Sequence, residues 1–178
     1  MGEKRFNTYL CLAAAMAMVC GCQSLETKRK KQFSTLRVHL EANRDTADRN
    51  QVVSISRANP VSVNVQKSPF LTEGDVKEAK VVEAVGGFAL RLQCDRRGSW
   101  LLEQYSTDNL GKHFAIFSQF ASPPEGKLNQ GRWLAAPRIN QRVTNGVLSF
   151  TPDATREETE QIALGLNNVA KKLKPAAE

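Results

Sequence analysis

Four cysteines and two histidines carry most of the reactive chemistry in this chain, and their spacing limits what that chemistry can be. Cys11 and Cys20 fall in an apolar run, Cys22 lies just past it, and Cys94 stands alone in the remainder. A single body cysteine forms no internal disulfide there. With two histidines it also falls short of the about four ligands of a structural zinc site. His39 and His113 sit on strand-like segments beside Arg37 and Lys112, without a carboxylate pattern. Neither has the nucleophile and orienting partner that a triad needs, so both are expected to be exposed or half-buried surface residues. Cys94 shares a strand face with Phe88, Leu90 and Leu92, which favours a buried thiol over a nucleophile. Glu157, Glu158 and Glu160 gather at a helix start, where carboxylates complement the dipole. No phosphate loop, dinucleotide fingerprint or paired-histidine helix can be placed. These residues argue against an enzyme and require no cofactor or metal.

Cys22 is the cysteine with a chemical task. Lys4 and Arg5 precede the apolar run Tyr9–Val19, and small residues follow, which is the order of a secretory signal. The run is shorter than the about 20 residues of a membrane span. Val19-Cys20-Gly21-Cys22 resembles the lipobox of bacterial lipoproteins, with Cys20 at the tolerant position. That resemblance implies cleavage before Cys22, diacylglycerol on its sulfur and an acyl chain on its amine. Each buried methylene contributes about 0.8 kcal/mol, so two or three chains anchor stably in a lipid bilayer. An ordinary cleaved signal, with Cys22 incidental, is the alternative. Gln23 is not the aspartate that often retains such lipoproteins in the inner membrane, so the outer membrane is the preferred location within the cell envelope.

The whole chain has a formal net charge of +7. Lys28, Arg29, Lys30 and Lys31 concentrate part of it in a tether, residues 22–32. Such a cluster either attracts anionic headgroups, at about 1 kcal/mol per residue, or serves as a self-repelling spacer. Residues 23–32 reach at most about 35 Å. No aromatic stacking pattern accompanies the charges, so nucleic acid is not an expected partner.

Alternation then defines the body. Leu36, Val38 and Leu40 mark a half-buried strand, residues 42–51 a polar loop, and Val53/Ile55 and Val61/Val63/Val65 two more strands around Asn59-Pro60. Residues 33–67 are thus expected as a β-rich lead-in. Pro69–Thr72 introduces a short helical turn, with Thr72 as its N-cap and Asp75 three residues on. A strand over 88–94 precedes a helix over 98–109, with Leu101, Leu102 and Tyr105 inward, Trp100 covering one end of the core and Gly111 as the stop. His113–Phe120 is the most apolar strand and is expected to be central, with 132–136 as its hairpin partner and 147–150 as a further strand. Thr155 and Glu158 form a capping box for a last helix whose Ile162, Leu166, Val169 and Leu173 share a face. The fold class is α+β, a mostly antiparallel sheet with two main helices packed on it.

Residues 68–173 resemble the extracytoplasmic head domain of SecD, a component of the bacterial Sec translocase. The collinear stretches are Pro69–Val76, the Phe88–Leu92 strand leading into its helix and Gly111, His113–Phe117, Leu134–Ile139, Asn145-Gly146, and Glu157–Leu166. Ala136-Pro137-Arg138-Ile139 is the most specific of them. In that family the head is inserted between transmembrane helices and moves as proton flow drives late preprotein export. No segment after residue 22 is apolar and long enough to span a bilayer, so proton-driven pulling is not carried over. The family's paired glycines appear as Asn145-Gly146, and its short turn after the central strand is replaced by residues 121–131.

The expected function is a membrane-anchored, non-enzymatic binding module in the cell envelope, accessory to protein export, with an extended polypeptide or a Sec translocase component as partner. The alternative is a structural or envelope-maintenance lipoprotein that reuses the fold. Strand addition at a sheet edge or contact through residues 121–133 is the expected mode. Pro124, Trp133, Asn145 and Gly146 are the candidate partner-binding residues. Pro123-Pro124 stiffens its loop, and Trp133 beside that loop is either a contact or a core side chain.

Overall fold

The computed structural model describes residues 29, 32–43, 49–56, 58–120 and 131–173. The chain divides into two compact units, residues 1–32 and 33–178, and the elements that follow belong to the second. Cys22, Pro124 and the tail 174–178 lie outside the described residues.

The strands are β1 (Ser34–Leu40), β2 (Asn50–Ile55), β3 (Val61–Gln66), β4 (Leu71–Thr72), β5 (Val76–Ala84), β6 (Gly87–Cys94), β7 (Phe114–Phe120), β8 (Arg132–Ala135) and β9 (Val147–Phe150). Two helices, α1 (Arg96–Asp108) and α2 (Arg156–Leu173), complete the order β1-β2-β3-β4-β5-β6-α1-β7-β8-β9-α2. Every strand pairing is antiparallel. The strands form a four-stranded sheet β4-β1-β7-β8, a three-stranded sheet β5-β6-β9 and a separate ribbon β2-β3. This is the expected α+β class.

Strand parity divides the interior in two. Leu36, Val38 and Leu40 of β1 and Phe114, Ile116 and Phe120 of β7 enter the main core with Leu90, Leu92, Ile162 and Leu166. The opposite face of the four-stranded sheet carries the ribbon, where Val53, Ile55, Val63 and Val65 pack around Ala115, Trp133 and Ala136. The N-terminal region is β-rich, as expected, and β1 lies inside the four-stranded sheet, paired with β7 from Ser34↔Phe120 to Leu40↔Phe114.

Helix α1 starts two residues earlier than Gly98 because the Asp95 carboxylate accepts the Gly98 N–H at 2.7 Å, an N-cap. Its buried stripe is Gly98, Leu102 and Ser106. Trp100 points away from that stripe and is 61% exposed, so it does not cover the core. Tyr105 instead stacks on Phe70 with centroids 4.1 Å apart. The expected short helical turn is the 3-10 turn Glu73–Asp75, with Thr72 as its cap, and the short strand β4 leads into it. Buried Asp75 accepts the Thr72 N–H at 2.9 Å and pairs with Arg97 at 2.9 Å, linking this turn to α1. At α2 the capping box is present: Glu158 N–H donates to Thr155 Oγ1 at 3.2 Å, and Thr155 N–H to Glu158 Oε2 at 2.9 Å. Ile162, Leu166 and Val169 face inward, whereas Leu173, the last helical residue, is exposed.

Candidate functional site

The ribbon is held over the sheet by the end of β1. Glu41 bridges Val65 of β3, and the Ala42 N–H donates to Asn64 O at 2.8 Å. His39 is therefore enclosed, at 4% exposure, and its Nδ1–H donates to the Gln66 carbonyl at 2.8 Å. Burial holds its pKa below the ordinary histidine value; the Gln66 bond acts the other way and Arg37 adds to the lowering. The His39 ring meets Trp133 edge-on at 5.1 Å, and Trp133 meets Phe117 at 5.3 Å. Trp133 is thus a half-buried member of the layer between sheet and ribbon.

His113 has the carboxylate partner that local spacing did not reveal. One Glu41 oxygen accepts its backbone N–H at 2.9 Å and lies 2.7 Å from its Nδ1. Of the two histidines, expected to be exposed or half-buried, His113 is half-buried and His39 is buried, and each has a defined hydrogen bond. Among the described residues neither is bonded to a serine, threonine or cysteine side chain. Cys94 is buried, as expected.

A cleft of about 710 Å³ opens beneath the ribbon tip, between Ile55, Val61 and Val63 on one side and Leu134, Pro137 and Phe150 on the other. Glu41 and His113 contribute polar groups to it. The lining is chiefly apolar and of ligand-pocket size, which suits apolar side chains of a bound segment. Ser56 at the ribbon tip holds φ at 69°, an uncommon value outside glycine.

Two strand edges are engaged within the chain. The Leu134 carbonyl of β8 accepts the Asp153 N–H at 2.7 Å. On β5, the Asn167 amide accepts the Ala79 N–H at 2.8 Å and donates to the Ala79 carbonyl at 2.9 Å.

Asn145 and Gly146 belong to a different neighbourhood from Trp133. Gly146 is buried with φ at 64°, and a Cβ there would overlap the Ser99 hydroxyl. Its carbonyl accepts the Cys94 N–H at 2.8 Å, which fastens the start of β9 to the end of β6. Exposed Asn145 accepts the Val147 N–H on Oδ1 at 3.0 Å. The missed components of the cleft are the ribbon valines and Glu41. Their apolar alternation was visible, but not the surface they cover.

The family described as SecDF, P1 head subdomain, matches residues 46–170, which takes in the ribbon as well as everything from β4 to most of α2. The chain belongs to this family. A solved structure of SecDF, a membrane component that enhances protein export, is 20% identical with a TM-score of 0.54, covering 82% of this chain and 67% of that one. SecDF in a super-membrane-facing form gives 20% identity and a TM-score of 0.54, with 82% of this chain and 20% of that chain covered. This chain thus spans about two thirds of the first and a fifth of the second. At that identity the likeness is one of fold. No curated protein matches the chain. Among the described residues no helix is long and apolar enough to cross a membrane.

Proposed function

We propose that this SecDF-head-like domain is a non-enzymatic polypeptide-binding module of the cell envelope, accessory to protein export and held at the bilayer by lipid on Cys22. The observation that carries the reading is the apolar cleft beneath the ribbon, about 710 Å³ in volume, on a fold shared with an export component. An extended chain places alternate side chains on one side, so an apolar residue of a passing segment enters the cleft while its neighbours stay in solvent. Tethering raises the local concentration of the module near the membrane without adding a contact. Trp133 packs against the ribbon cluster whose Ile55 and Val63 line the cleft.

Photo-crosslinking tests this reading. A photoreactive residue at Val61 or Ala136 is expected to capture a translocating chain or a translocase subunit, and one at Trp100, on the outward face of α1, is not. Capture of cell-wall or outer-membrane structural proteins instead would favour an envelope-maintenance role. The anchor is tested separately by intact mass: the native chain is expected to carry lipid, and Cys22→Ser to lose both that mass and its membrane attachment.

A further inference from the structure

The outward face of the three-stranded sheet carries a charge arrangement that folding does not explain. Lys80 of β5 stands directly opposite Arg91 of β6, and Arg91 stands opposite Ser149 of β9. Strand alternation sends Ala79, Leu90, Leu92 and Leu148 to the core, so Lys80, Arg91 and Ser149 form a row across the solvent face. All three are exposed. Like charges directly opposite one another destabilise a sheet. Glu78 relieves part of this by pairing with Lys80 at 2.8 Å. Among the described residues, Arg91 has no ion pair.

The row borders a hollow of about 200 Å³ lined by Glu78, Lys80, Val82, Arg91 and Gln93. A second hollow shares Glu78 and Gln93 with it and extends to Lys77 and Lys171. Lys77, Lys80, Arg91 and Lys171 therefore edge two adjoining hollows, taken together as a trough. Its carboxylates are already engaged, Glu78 with Lys80 and Asp95 with the start of α1.

We propose that this trough is a contact surface for the anionic headgroups of a phospholipid bilayer. The hollows measure about 200 and 640 Å³, and Lys77, Lys80, Arg91 and Lys171 on their rims are all exposed. A single free phosphate would thus be held only by exposed charges, whose individual pairings are weak. A bilayer presents many phosphates at once, and each cation near it adds about fivefold to partition, the equivalent of about 1 kcal/mol. The inference rests on the tethered reading for the nearness of a bilayer, since the tether reaches at most about 35 Å.

The test is co-sedimentation of the full chain carrying Cys22→Ser with vesicles of phosphatidylcholine alone or mixed with phosphatidylglycerol. Without covalent lipid, the result does not depend on whether native Cys22 is modified, so failure of the anchor and failure of the trough are separable. The Lys80→Gln/Arg91→Gln pair is expected to lower partition to the anionic vesicles about twenty-five-fold, from about fivefold per cation. The Arg37→Gln/Arg138→Gln pair, two exposed cations elsewhere with the same change in net charge, is expected to change it far less. Because the trough substitutions relieve like-charge repulsion, thermal stability should be unchanged or higher. Equal losses for the two pairs, no preference for anionic vesicles, or tighter binding to soluble polyglutamate than to vesicles would each overturn the proposal.

Discussion

His39 shows how a residue's environment can be set by an element that its own strand does not announce. Alternation within β1 puts it opposite Val38 and Leu40, which is the solvent side of a two-layer protein. Here the ribbon covers that side, and the imidazole is kept neutral to donate to Gln66. A histidine whose folded pKa is depressed contributes stability that is present above the unfolded value of about 6.5 and lost as pH falls through the folded value. The urea midpoint should therefore drop between about pH 7.5 and about pH 5. His39→Gln keeps a neutral donor and should flatten that drop; an unchanged slope would assign the effect to other groups. The Glu41–His113 pair was hidden for a related reason, since its members are 72 residues apart. Cys94 and the α2 capping box were legible because their determinants lie on one strand face or within four residues.

At the scale of elements, α2 shows the same division. Its cap and most of its inward face follow from spacing, yet one of its most consequential side chains is polar. Asn167 meets both hydrogen-bonding groups of Ala79, so the helix supplies β5 with the pairing a further strand would make. Charged Lys77, Glu78 and Lys80 and an irregularity between Val76 and Glu78 add to the protection of this edge. Asn167→Ala should cost about 1–3 kcal/mol, because it leaves a partly enclosed backbone donor and acceptor unpaired. It should also make the protein self-associate as concentration rises, measurable by sedimentation velocity beside a thermal melt. A destabilised variant that stays monomeric would mean that charge alone guards the edge. Helix α1 begins two residues before Gly98 because Asp95 caps it, and the two arginines that follow occupy its first turn. Trp100 was misplaced because a large aromatic is normally buried, whereas the inward positions here belong to Gly98, Leu102 and Ser106.

For the whole molecule, the β7–β8 hairpin is legible in the sequence, and the placement of β1 and of the ribbon is not. Local alternation identifies β1, β2, β3 and β7 individually, and β2–β3 is a local hairpin, but β1 pairs with β4 and β7 far along the chain, and parity does not choose among partners. The consequence is two apolar clusters on opposite faces of one sheet, of very different size. The small cluster fastens the ribbon and forms part of the proposed cleft, so the ribbon should open without unfolding the main core. Val63→Ala and Leu36→Ala separate the two. Val63 packs only in the small cluster, and its truncation should speed hydrogen exchange in residues 50–66 while leaving β1 and β7 protected. Leu36 is fully buried in the main core, and Leu36→Ala should cost about 2–5 kcal/mol and speed exchange throughout. Exchange read by mass spectrometry distinguishes these patterns, and β1 and β7 responding to Val63→Ala as strongly as the ribbon would show a single cooperative unit. Under the local-opening pattern a ligand in the cleft protects the ribbon first, because its binding energy acts on the least costly opening before it affects global unfolding.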